Sequence, residues 1–550
     1  MTTVLRGESH AEAKDDETVI HGAPHPAVHA SLEEIVRPHR AKDHGVTLSD
    51  GRSVVRLSYP ELTQRAAVTA ARLSRAGVTP GTPVACVVTN DLASVLTVLG
   101  TWMAGGCLVS VPPLRAGRLS QSGGIGAVLA TMGCAFFVSD EDADTLPLPP
   151  GTQLLHQSAL TMPDHGHVSI PDHAIPDRAL VQFTSGSIGT PKGVVIDGRT
   201  LAGHLHVLGT SSMAMVPGED RMVSWLPLYH DMGLVAMFLS GLSARIDIVL
   251  STPSTFAGRP SSWLTSLSQE RATITAAPNF AYRLAAAVPY EEKLDLSRMR
   301  VSLSGGERLQ WQSLLDFHRA AGPHGFPWEA IQPSYGLAEG VVGTTTTPVG
   351  RGPKLGPGGH VSLGVPLTGV SLKLRTGAEP TPIHLGGASR FAGYQTTDGF
   401  QASTGPWHDT GDGGFVHEGE LYVIGRRNEV IALAGRNIFA EDVEAVVQDV
   451  GNNVVRACAA FRDPGDDTRF GLLVEVERVH TSDAARDDMT ALAREIRSCV
   501  SRVLGTRLTS VRVVRPRTIP RTTSGKVQRA RCRELVENGD VAPRTVAELK

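Results

Sequence analysis

A loop rich in glycine and hydroxyl side chains, set between two apolar runs, is the stretch best suited to chemistry. The runs 179–183 and 194–196 are typical of buried strands, and Gly and Pro punctuate the residues between them. Inward backbone N–H groups, hydroxyls and one lysine are what a polyphosphate needs. No Gly-Lys-Ser/Thr step opens a helix, so the loop is not a Walker A motif. Its alternative interpretation is a flexible Ser/Gly hairpin.

A second candidate site lies in residues 224–234, which combine aromatic side chains, a histidine and a turn. An apolar site with a few placed polar groups binds an organic tail beside a reactive head. His230 is the polar group to which this pattern draws attention. Taken alone, such a histidine is more often an ordinary structural residue.

Two further segments, 277–282 and 302–308, each follow a short apolar run that predicts a strand. Loops at the carboxyl ends of parallel strands are where α/β sheets bind ligands. Gly305 and Gly306 would allow a flat base to lie against the backbone. A tight turn without a ligand explains the two glycines equally well.

Carboxylates occur in two more motifs. Ser-Tyr-Gly-Leu-Ala-Glu at 334–339 offers an aromatic face for a purine and, in Glu339, a ligand for Mg²⁺, which binds through one or two carboxylates plus substrate phosphates. In 407–414 we expect Asp412 to occupy a tight turn and to accept both hydroxyls of a ribose. A solvated acid and a simple turn former are the respective alternatives.

A lysine near the C-terminus completes the set. Ile-Pro-Arg-Thr-Thr-Ser-Gly-Lys at 519–526 places Lys526 on a glycine-flanked loop. A mobile lysine can neutralise charge that develops on a transferring phosphoryl group. A basic surface loop is the alternative if the motif is considered alone.

The surrounding elements predict an α/β protein with a smaller C-terminal unit. Strand, helix and strand patterns alternate over 83–111, which is typical of a parallel sheet covered by helices. After Gly425 the pattern becomes αββαβ over about 120 residues, enough for its own core. We expect a flexible tail at 1–25, a large domain at 26–425, a hinge at 426–429 and a mobile domain at 430–550.

Composition excludes several classes of protein. The 550 residues are 41% hydrophobic and 19% charged with a formal net charge of −3, so no basic field recruits nucleic acid or membrane. Six scattered cysteines without a CxxC pair suit a reducing cytoplasm. The most apolar stretch, 233–250, contains charged residues, so we predict no transmembrane helix.

The order of these motifs resembles the adenylate-forming superfamily over residues 30–540. Within it, Trp-Leu-Pro-Leu-Tyr-His-Asp-Met-Gly-Leu at 225–234, Ala-Pro-Asn-Phe-Ala-Tyr at 277–282 and Gly-Arg-Asn-Ile-Phe-Ala-Glu-Asp-Val-Glu at 435–444 are most similar to fatty acyl-AMP ligases. The resemblance implies parallel and mixed sheets flanked by helices in a large N-terminal region of three subdomains. A small mobile α+β domain follows.

The resemblance also implies roles for individual residues. Catalysis falls to Lys526, Glu339, Thr184 and His230, with Glu339 and Thr184 holding Mg²⁺ and Asn428 acting as hinge. The acid is bound by Trp225, His230, Met232, Asn279 and Phe280. ATP is bound by Thr184, Ser185, Gly186, Ser187, Gly189, Thr190, Lys192, Gly305, Gly306, Glu307, Ser334, Tyr335, Gly336, Leu337, Asp412 and Arg426.

Four positions depart from the family pattern. Ile188 removes a hydroxyl from the loop, Asn428 replaces the usual Asp or Lys of the hinge, and Gly340 replaces an alanine. Gly364 follows Glu339 by only about 25 residues, whereas fatty acyl-AMP ligases carry a longer insertion that is associated with refusal of CoA. Carrier-protein preference is therefore less firmly implied than adenylation.

The expected activity is ATP-dependent conversion of a fatty or related carboxylic acid to acyl-AMP. Transfer to the phosphopantetheine thiol of an acyl carrier protein would follow, in the cytoplasm. An acyl-CoA ligase shares the first step, and a free-standing amino-acid adenylating enzyme would need an aspartate for the α-amino group that the sequence does not identify. A catalytically dead ATP-binding scaffold is disfavoured because Lys526, Glu339 and Asp412 are retained together.

Overall fold

The fold is known from a computed structural model that describes most of the chain. Side chains at 184, 432–433, 436–437, 449, 451, 466–467 and 483–486 are not described. The described backbone covers residues 17–24, 31–37, 43–113, 124–141, 146, 148–164, 177–184, 192–290, 293–375, 380–433, 436–451, 454–476, 483–521 and 527–549.

The strands of the described residues are numbered in chain order. They are β1 (Glu17–His21), β2 (Gly45–Ser49), β3 (Val54–Ser58), β4 (Pro83–Val87), β5 (Cys107–Val111), β6 (Phe136–Val138), β7 (Gln153–Leu155), β8 (Arg178–Thr184), β9 (Lys192–Asp197), β10 (Arg221–Ser224), β11 (Asp247–Ser251), β12 (Ile274–Ala277), β13 (Val301–Ser304), β14 (Ile331–Tyr335), β15 (Thr345–Thr346), β16 (Val365–Pro366), β17 (Val370–Arg375), β18 (Thr381–Gly387), β19 (Gly393–Thr396), β20 (Gly399–Ala402), β21 (His408–His417), β22 (Glu420–Arg426), β23 (Val430–Leu433), β24 (Arg436–Phe439), β25 (Val455–Asp463), β26 (Asp466–Val476), β27 (Leu508–Val514) and β28 (Thr545–Leu549).

The α-helices are numbered in the same way. They are α1 (Leu32–Val36), α2 (Tyr59–Ala76), α3 (Leu92–Met103), α4 (Gly124–Met132), α5 (Gln157–Thr161), α6 (Gly198–Val207), α7 (Ser240–Ala244), α8 (Pro253–Gly258), α9 (Ser261–Gln269), α10 (Asn279–Ala286), α11 (Trp311–Ala321), α12 (Ala440–Gly451), α13 (Asp483–Leu504) and α14 (Arg529–Glu537).

Two large sheets and a smaller antiparallel sheet build the N-terminal region. Their orders are β16-β15-β14-β13-β12-β10-β11-β2-β3, β20-β19-β9-β8-β5-β4-β6-β7 and β1-β17-β18-β21-β22. The centres of the first two sheets are parallel, as the alternating pattern predicts. Antiparallel strands close both edges of the first sheet and one edge of the second, whose other edge strand, β7, is parallel to β6. The α/β class expected from the sequence is confirmed.

Local sequence signals explain where individual helices begin and end. Ser58 and Glu61 form a reciprocal capping box at the start of α2, and Pro60 occupies its first turn. Gly77, with φ of 110°, ends the helix in a left-handed conformation that suits glycine. The capping pair, the proline and the glycine can all be recognised in the sequence as signals of a helix start and end.

One expectation about the N-terminus is wrong. Residues 17–21, which fall within the expected flexible tail, form β1 and pair antiparallel with β17 along five positions. The physical reason is that β17 would otherwise present an open edge of unpaired backbone groups. A Cβ on Gly22 would lie 1.9 Å from the carbonyl oxygen of Leu367, so glycine is needed where the chain leaves this sheet.

The C-terminal unit has the expected αββαβ order and adds a fourth strand. Sheet β25-β26-β27-β28 packs against α12 and α13, and the hairpin β23–β24 precedes them. Its main core begins at Ile431, whereas the main N-terminal core ends at Leu421. Among the helices of the described residues, none is both long and apolar enough to span a bilayer.

Candidate active site

The carboxyl ends of three neighbouring parallel strands bring the predicted motifs to one edge. Strands β12, β13 and β14 lie side by side in register. The segments that leave them begin at Pro278, Gly305 and Gly336, respectively. Motifs separated by dozens of residues in sequence thus become neighbours, at the edge where α/β sheets bind ligands.

Glycine is required at this edge because the backbone is crowded. A Cβ at Gly305 would lie 2.8 Å from the Ser334 carbonyl oxygen, and one at Gly336 would lie 1.7 Å from that of Val342. Gly306 has φ of +82°, a conformation that other residues rarely adopt. The result is a wall of bare backbone beside the buried ring of Tyr335, as a flat ligand would need.

A buried carboxylate joins this wall to the end of the third sheet. The Tyr335 hydroxyl donates to Asp412 Oδ2 at 2.5 Å, and Arg426 Nε lies 2.9 Å from Asp412 Oδ1. Arg426 also donates to the Thr410 carbonyl at 3.0 Å. Burial, with Asp412 adjacent, raises the pKa of Tyr335 far above its usual value, so the phenol stays a donor.

The expected tight turn around Asp412 is wrong. Asp412 lies within β21, paired with Arg426 of β22, and a register shift follows it between Gly413 and Gly414. The sequence Thr-Gly-Asp-Gly-Gly suggests a turn, but cross-strand pairing overrides that local preference. The strand fixes the carboxylate more firmly than a turn would.

Glu339 is held by an aromatic residue from another sheet. The Tyr394 hydroxyl donates to Glu339 Oε1 at 2.7 Å, and the Phe391 N–H donates to the Glu339 carbonyl at 2.9 Å. Burial and the neighbouring carboxylate of Glu339 raise the pKa of Tyr394. The rings of Phe391 and Tyr394 pack on His408 of β21 at centroid distances of 4.9 and 6.2 Å, so Glu339 lies near the strand that carries Asp412.

The stem of the predicted phosphate loop stands beside Glu339. Strands β8 and β9 are antiparallel, and Thr184 pairs with Lys192 at the open end of the hairpin. Tyr394 of β19 pairs with Val194 of β9, and the Lys192 Nζ lies 5.7 Å from the Tyr394 ring centroid. The predicted loop residues Ser185, Gly186, Ser187, Gly189 and Thr190 lie outside the described residues, as does the departure Ile188.

An apolar cavity opens next to the glycine wall. Its lining includes most of the predicted acid-binding residues together with the two glycines. It is lined by Trp225, Leu226, Pro227, His230, Met232, Pro278, Phe280, Gly305, Gly306 and Glu307.

Polar contacts order the rim of this cavity. His230 Nδ1 lies 2.7 Å from Asp231 Oδ1, and Glu307 Oε1 accepts a hydrogen bond from the Phe280 N–H at 2.6 Å. Asn279 Oδ1 accepts from the Gln310 N–H at 3.2 Å, so its side chain braces the start of α11. Glu307, assigned to the nucleotide, thus also orders the start of α10.

Ser334 and Leu337 complete the predicted nucleotide set. Ser334 is buried, and its hydroxyl donates to the Gln332 carbonyl at 3.1 Å. Leu337 is partly buried and precedes the 3₁₀ turn Ala338–Gly340 that carries Glu339. Both positions shape the segment that follows β14.

The predicted hinge coincides with a break between elements. A short 3₁₀ turn, Arg427–Glu429, separates β22 from β23 and contains Asn428. Arg529 binds Glu429 at 2.6 Å and Glu444 of α12 at 2.7 Å, which ties the last residue of the predicted hinge to the small unit. Lys526 lies outside the described residues.

Sequence reasoning missed Tyr394 and Phe256. Tyr394 contacts Glu339 across 55 positions, and the ring of Phe256 stacks on Trp225 at a centroid distance of 3.9 Å. Neither residue has a spacing signal that points to its partner. A glycine before Tyr394 was the only local hint of a close approach.

Known proteins resemble the chain over most of its length. A sequence model described as AMP-binding enzyme matches residues 37–400. The long-chain-fatty-acid–AMP ligase FadD28 of Mycobacterium tuberculosis is 29% identical over 88% of this chain and 92% of its own. From the same organism, fadD25, named provisionally as a fatty-acid–CoA ligase, is 32% identical over 66% of this chain and 70% of its own.

Solved structures agree with this assignment. A structure from a study of fatty acyl-adenylate ligases of E. coli and L. pneumophila has a TM-score of 0.81 and 26% identity, and covers 93% of this chain and 98% of that one. The fold, the strand-end glycines and the matched residues point the same way. The chain belongs to the AMP-binding enzyme family.

Proposed function

We propose that the protein activates a fatty or related carboxylic acid with ATP to form acyl-AMP and pyrophosphate. It then transfers the acyl group to the phosphopantetheine thiol of an acyl carrier protein. The observation that carries this proposal is the arrangement of Asp412, bound to Tyr335 and Arg426, near Glu339 and the stem of the predicted phosphate loop. The similarity to FadD28 supports an AMP-forming reaction.

The nucleotide lies along the edge of the three parallel strands. Its base stacks between the wall of Gly305, Gly306 and Glu307 and the ring of Tyr335. Asp412 accepts hydrogen bonds from the ribose hydroxyls through lone pairs that Tyr335 and Arg426 leave available. The triphosphate extends towards the loop 184–192.

The residues present fit a magnesium ion bound together with ATP. Glu339 offers one carboxylate, of which Oε1 is fixed by Tyr394. The described residues contain no group of three or more acidic, histidine or cysteine side chains that could hold a metal alone. Mg²⁺ commonly binds through one or two carboxylates plus phosphates, so Glu339 and Thr184 with ATP form a sufficient donor set. When bound, the ion neutralises charge on the phosphates.

In the first step a carboxylate oxygen of the acid attacks the α-phosphorus in line. The bond from the α-phosphorus to the bridging oxygen breaks, and that oxygen's electrons leave with pyrophosphate. Lys526 approaches the α-phosphate and neutralises the charge that builds there. His230, Met232, Trp225, Asn279 and Phe280 surround the acid, and most of the rate enhancement comes from positioning.

The second step needs a different arrangement of the small domain. We take residues 26–425 as the large domain, 426–429 as the hinge and 430–550 as the mobile domain. The main core of each domain lies on its own side of the hinge, which supports this division. Rotation about Asn428 withdraws Lys526 and admits the thiol. The sulfur attacks the acyl carbon, the carbon–oxygen bond to AMP breaks, and the thiol proton goes to solvent.

Carrier protein is the proposed acceptor, and CoA is the second candidate. The short segment between Glu339 and Gly364 and the similarity to fadD25 both favour CoA. ATP and a phosphopantetheine carrier are both cytoplasmic molecules, so we place the reaction in the cytoplasm. Nucleic acid has no part in it.

The test is a pyrophosphate-exchange assay with a panel of carboxylic acids, followed by a choice of thiol. Acid-dependent exchange of labelled pyrophosphate into ATP, with hydroxamate formed on adding hydroxylamine, is the expected result. Offering CoA and a holo acyl carrier protein separately, with products read by mass, identifies the acceptor. Absence of exchange with every acid would contradict the proposal.

A further inference from the structure

A buried arginine of the small unit connects three elements that are far apart in sequence. Arg529, the first residue of α14, donates two hydrogen bonds to Glu444 of α12, from Nε at 2.8 Å and from Nη2 at 2.7 Å. Its remaining nitrogen, Nη1, lies 2.6 Å from Glu429 Oε2 and 3.0 Å from Glu441 Oε1. The side chains of Arg529 and Glu444 are only 16% and 15% exposed, so salt and water screen this pair little.

The two ends of this network belong to different parts of the fold. Glu444 Oε1 also accepts a hydrogen bond from the Ala460 N–H of β25 at 2.9 Å, so this carboxylate is fixed to the sheet of the small unit. Glu429 is the last residue of the 3₁₀ turn that contains Asn428. Arg529 therefore joins the proposed hinge to that sheet.

Arg529 also lies next to the segment that contains Lys526. An antiparallel bridge between Arg521 and Val527 joins the two ends of that segment. Arg529 follows the bridge two positions later and lies three positions after Lys526. Fixing Arg529 thus fixes the base from which the lysine segment extends.

The helix that begins with Arg529 has a second, apolar attachment. Cys532 of α14 is buried in one cluster with Ala457, Ala459 and Phe461 of β25, and Leu535 packs against that cluster. Because this apolar face holds α14 on the sheet, attachment of the helix does not depend on the ion pairs. What the ion pairs add is a fixed distance between the N-terminal end of the helix and the proposed hinge.

We propose that Arg529 is a positioning residue for Lys526 in the adenylation step. This inference rests on the proposed function. Because Arg529 binds α12 and the hinge end at once, rotation at Asn428 carries the sheet and the base of the lysine segment as one unit. A planar guanidinium can bind one carboxylate with two parallel bonds while its third nitrogen reaches another, whereas a lysine amine has no such fork.

Arg529→Lys tests the fork while it keeps a charge beside the buried carboxylates. The amine cannot hold Glu444 with two bonds and reach Glu429 as well. In the pyrophosphate-exchange assay we expect kcat to fall roughly tenfold or more, because small misplacements of a reacting group are costly, with both KM values within about twofold. Transfer from preformed acyl-AMP to the thiol should stay within about twofold. Arg531→Lys, at the more exposed pair with Glu534 on the same helix, is the matched control and should change neither rate.

Glu429→Ala cuts the network at the hinge instead. Arg529 keeps both carboxylates of α12 as partners, so no buried cation is left unpaired and the small unit should stay folded. Exchange should again fall roughly tenfold or more. Glu429→Gln, whose amide oxygen still accepts from the guanidinium, should restore exchange to within about threefold of the unaltered protein. Glu534→Ala, on the exposed side of α14, is the control.

A double variant separates positioning from stability. If Arg529 acts through Lys526, adding Glu429→Ala to Lys526→Ala should lower the residual exchange by less than about twofold, because the positioned group is already absent. Losses that multiply in the double variant, equal losses in both half-reactions, or unchanged exchange in Arg529→Lys and Glu429→Ala would overturn the inference while leaving adenylation intact. Absence of exchange by the unaltered protein with every acid would instead contradict the proposed function, and this inference with it.

Discussion

At the scale of single residues, the candidate site depends on neighbours that fix two carboxylates. Asp412 and Glu339 were both identified from motifs, and so were Tyr335 and Arg426. Their mutual contacts were not predictable, because Tyr335 and Asp412 are 77 positions apart and Glu339 and Tyr394 are 55 apart. Residue types predict chemistry, whereas partners depend on the sheet topology that brings distant strands together.

Tyr394→Phe should raise the concentration of Mg²⁺ that adenylation requires. The change removes the hydrogen bond to Glu339 but keeps the ring that faces Lys192. A hydrogen bond to a charged group contributes about 1.5–3 kcal/mol, so the concentration of Mg²⁺ needed for half-maximal exchange should rise roughly tenfold or more. Titrating MgCl₂ at fixed ATP in the exchange assay measures this.

Tyr290→Phe is the matched control for that change, because the Tyr290 hydroxyl donates to the Ala285 carbonyl and has no other hydrogen bond among the described residues. This control variant should need the same concentration of Mg²⁺ for half-maximal exchange as the unaltered protein. Superimposable titrations for Tyr394→Phe and the unaltered protein would contradict the role of Tyr394 in positioning Glu339 for Mg²⁺.

Asp412→Asn should lower the affinity for ATP while the fold persists. The amide cannot accept from Tyr335, Arg426 and a ribose at once, and its charge no longer balances Arg426. We expect KM for ATP to rise at least tenfold, with KM for the acid much less affected. Asp316→Asn, on the exposed face of α11, should change neither constant. Equal effects on both substrates would indicate general damage to the site.

At the scale of elements, prediction succeeds where local signals decide the outcome. The capping box of Ser58 and Glu61 begins α2, and the alternating pattern over 83–111 yields β4, α3 and β5. It fails for β1 and for Asp412, whose conformations are set by strands far away in sequence. Pairing of this kind requires knowledge of the sheet edge, which no local pattern contains.

The contact between β22 and α12 predicts a pH dependence of stability. Burial, reinforced by Glu444 and Glu429, raises the pKa of Glu441 to about 7 from its usual 4.5, although Arg529 opposes the shift. A carboxyl whose pKa is raised by folding binds more protons in the folded state between these values. The free energy of unfolding contributed by Glu441 therefore decreases as pH rises from about 4.5 to about 7.

Glu441→Gln should remove that dependence. Arg529 keeps Glu429 and Glu444 as partners in the variant. We expect the unaltered protein to lose on the order of 2 kcal/mol more stability than the variant between pH 5 and pH 7.5. Urea unfolding at both pH values measures it. Glu537→Gln, at an exposed pair with Arg533, is the control and should follow the unaltered protein. Parallel pH profiles for Glu441→Gln and the unaltered protein would contradict the assignment.

At the scale of the whole molecule, the two main cores meet through a few polar contacts and through one small apolar cluster of Phe415, Tyr422, Ile424 and Phe439 beside the predicted hinge. Arg308, which follows the glycine wall, binds Asp442 of α12 at 2.6 Å, and Arg283 of α10 bonds to Gln448. Partly exposed pairs of this kind contribute about 1 kcal/mol or less each. Polar contacts of this size can be exchanged for others at small cost, which a rotating domain requires.

Lys526→Ala tests this division of labour between the two proposed steps. If the mobile domain brings Lys526 to the α-phosphate only for adenylation, its loss should reduce acid-dependent pyrophosphate exchange by about a hundredfold or more, the range for one electrostatic donor. Transfer from preformed acyl-AMP to the thiol should continue within about twofold, because the lysine is withdrawn at that stage. Lys354→Ala, at an exposed pair with Glu418, should leave both rates unchanged. Equal loss in both half-reactions of Lys526→Ala would show that the lysine serves one fixed arrangement, and the proposed rotation about 426–429 would then be wrong.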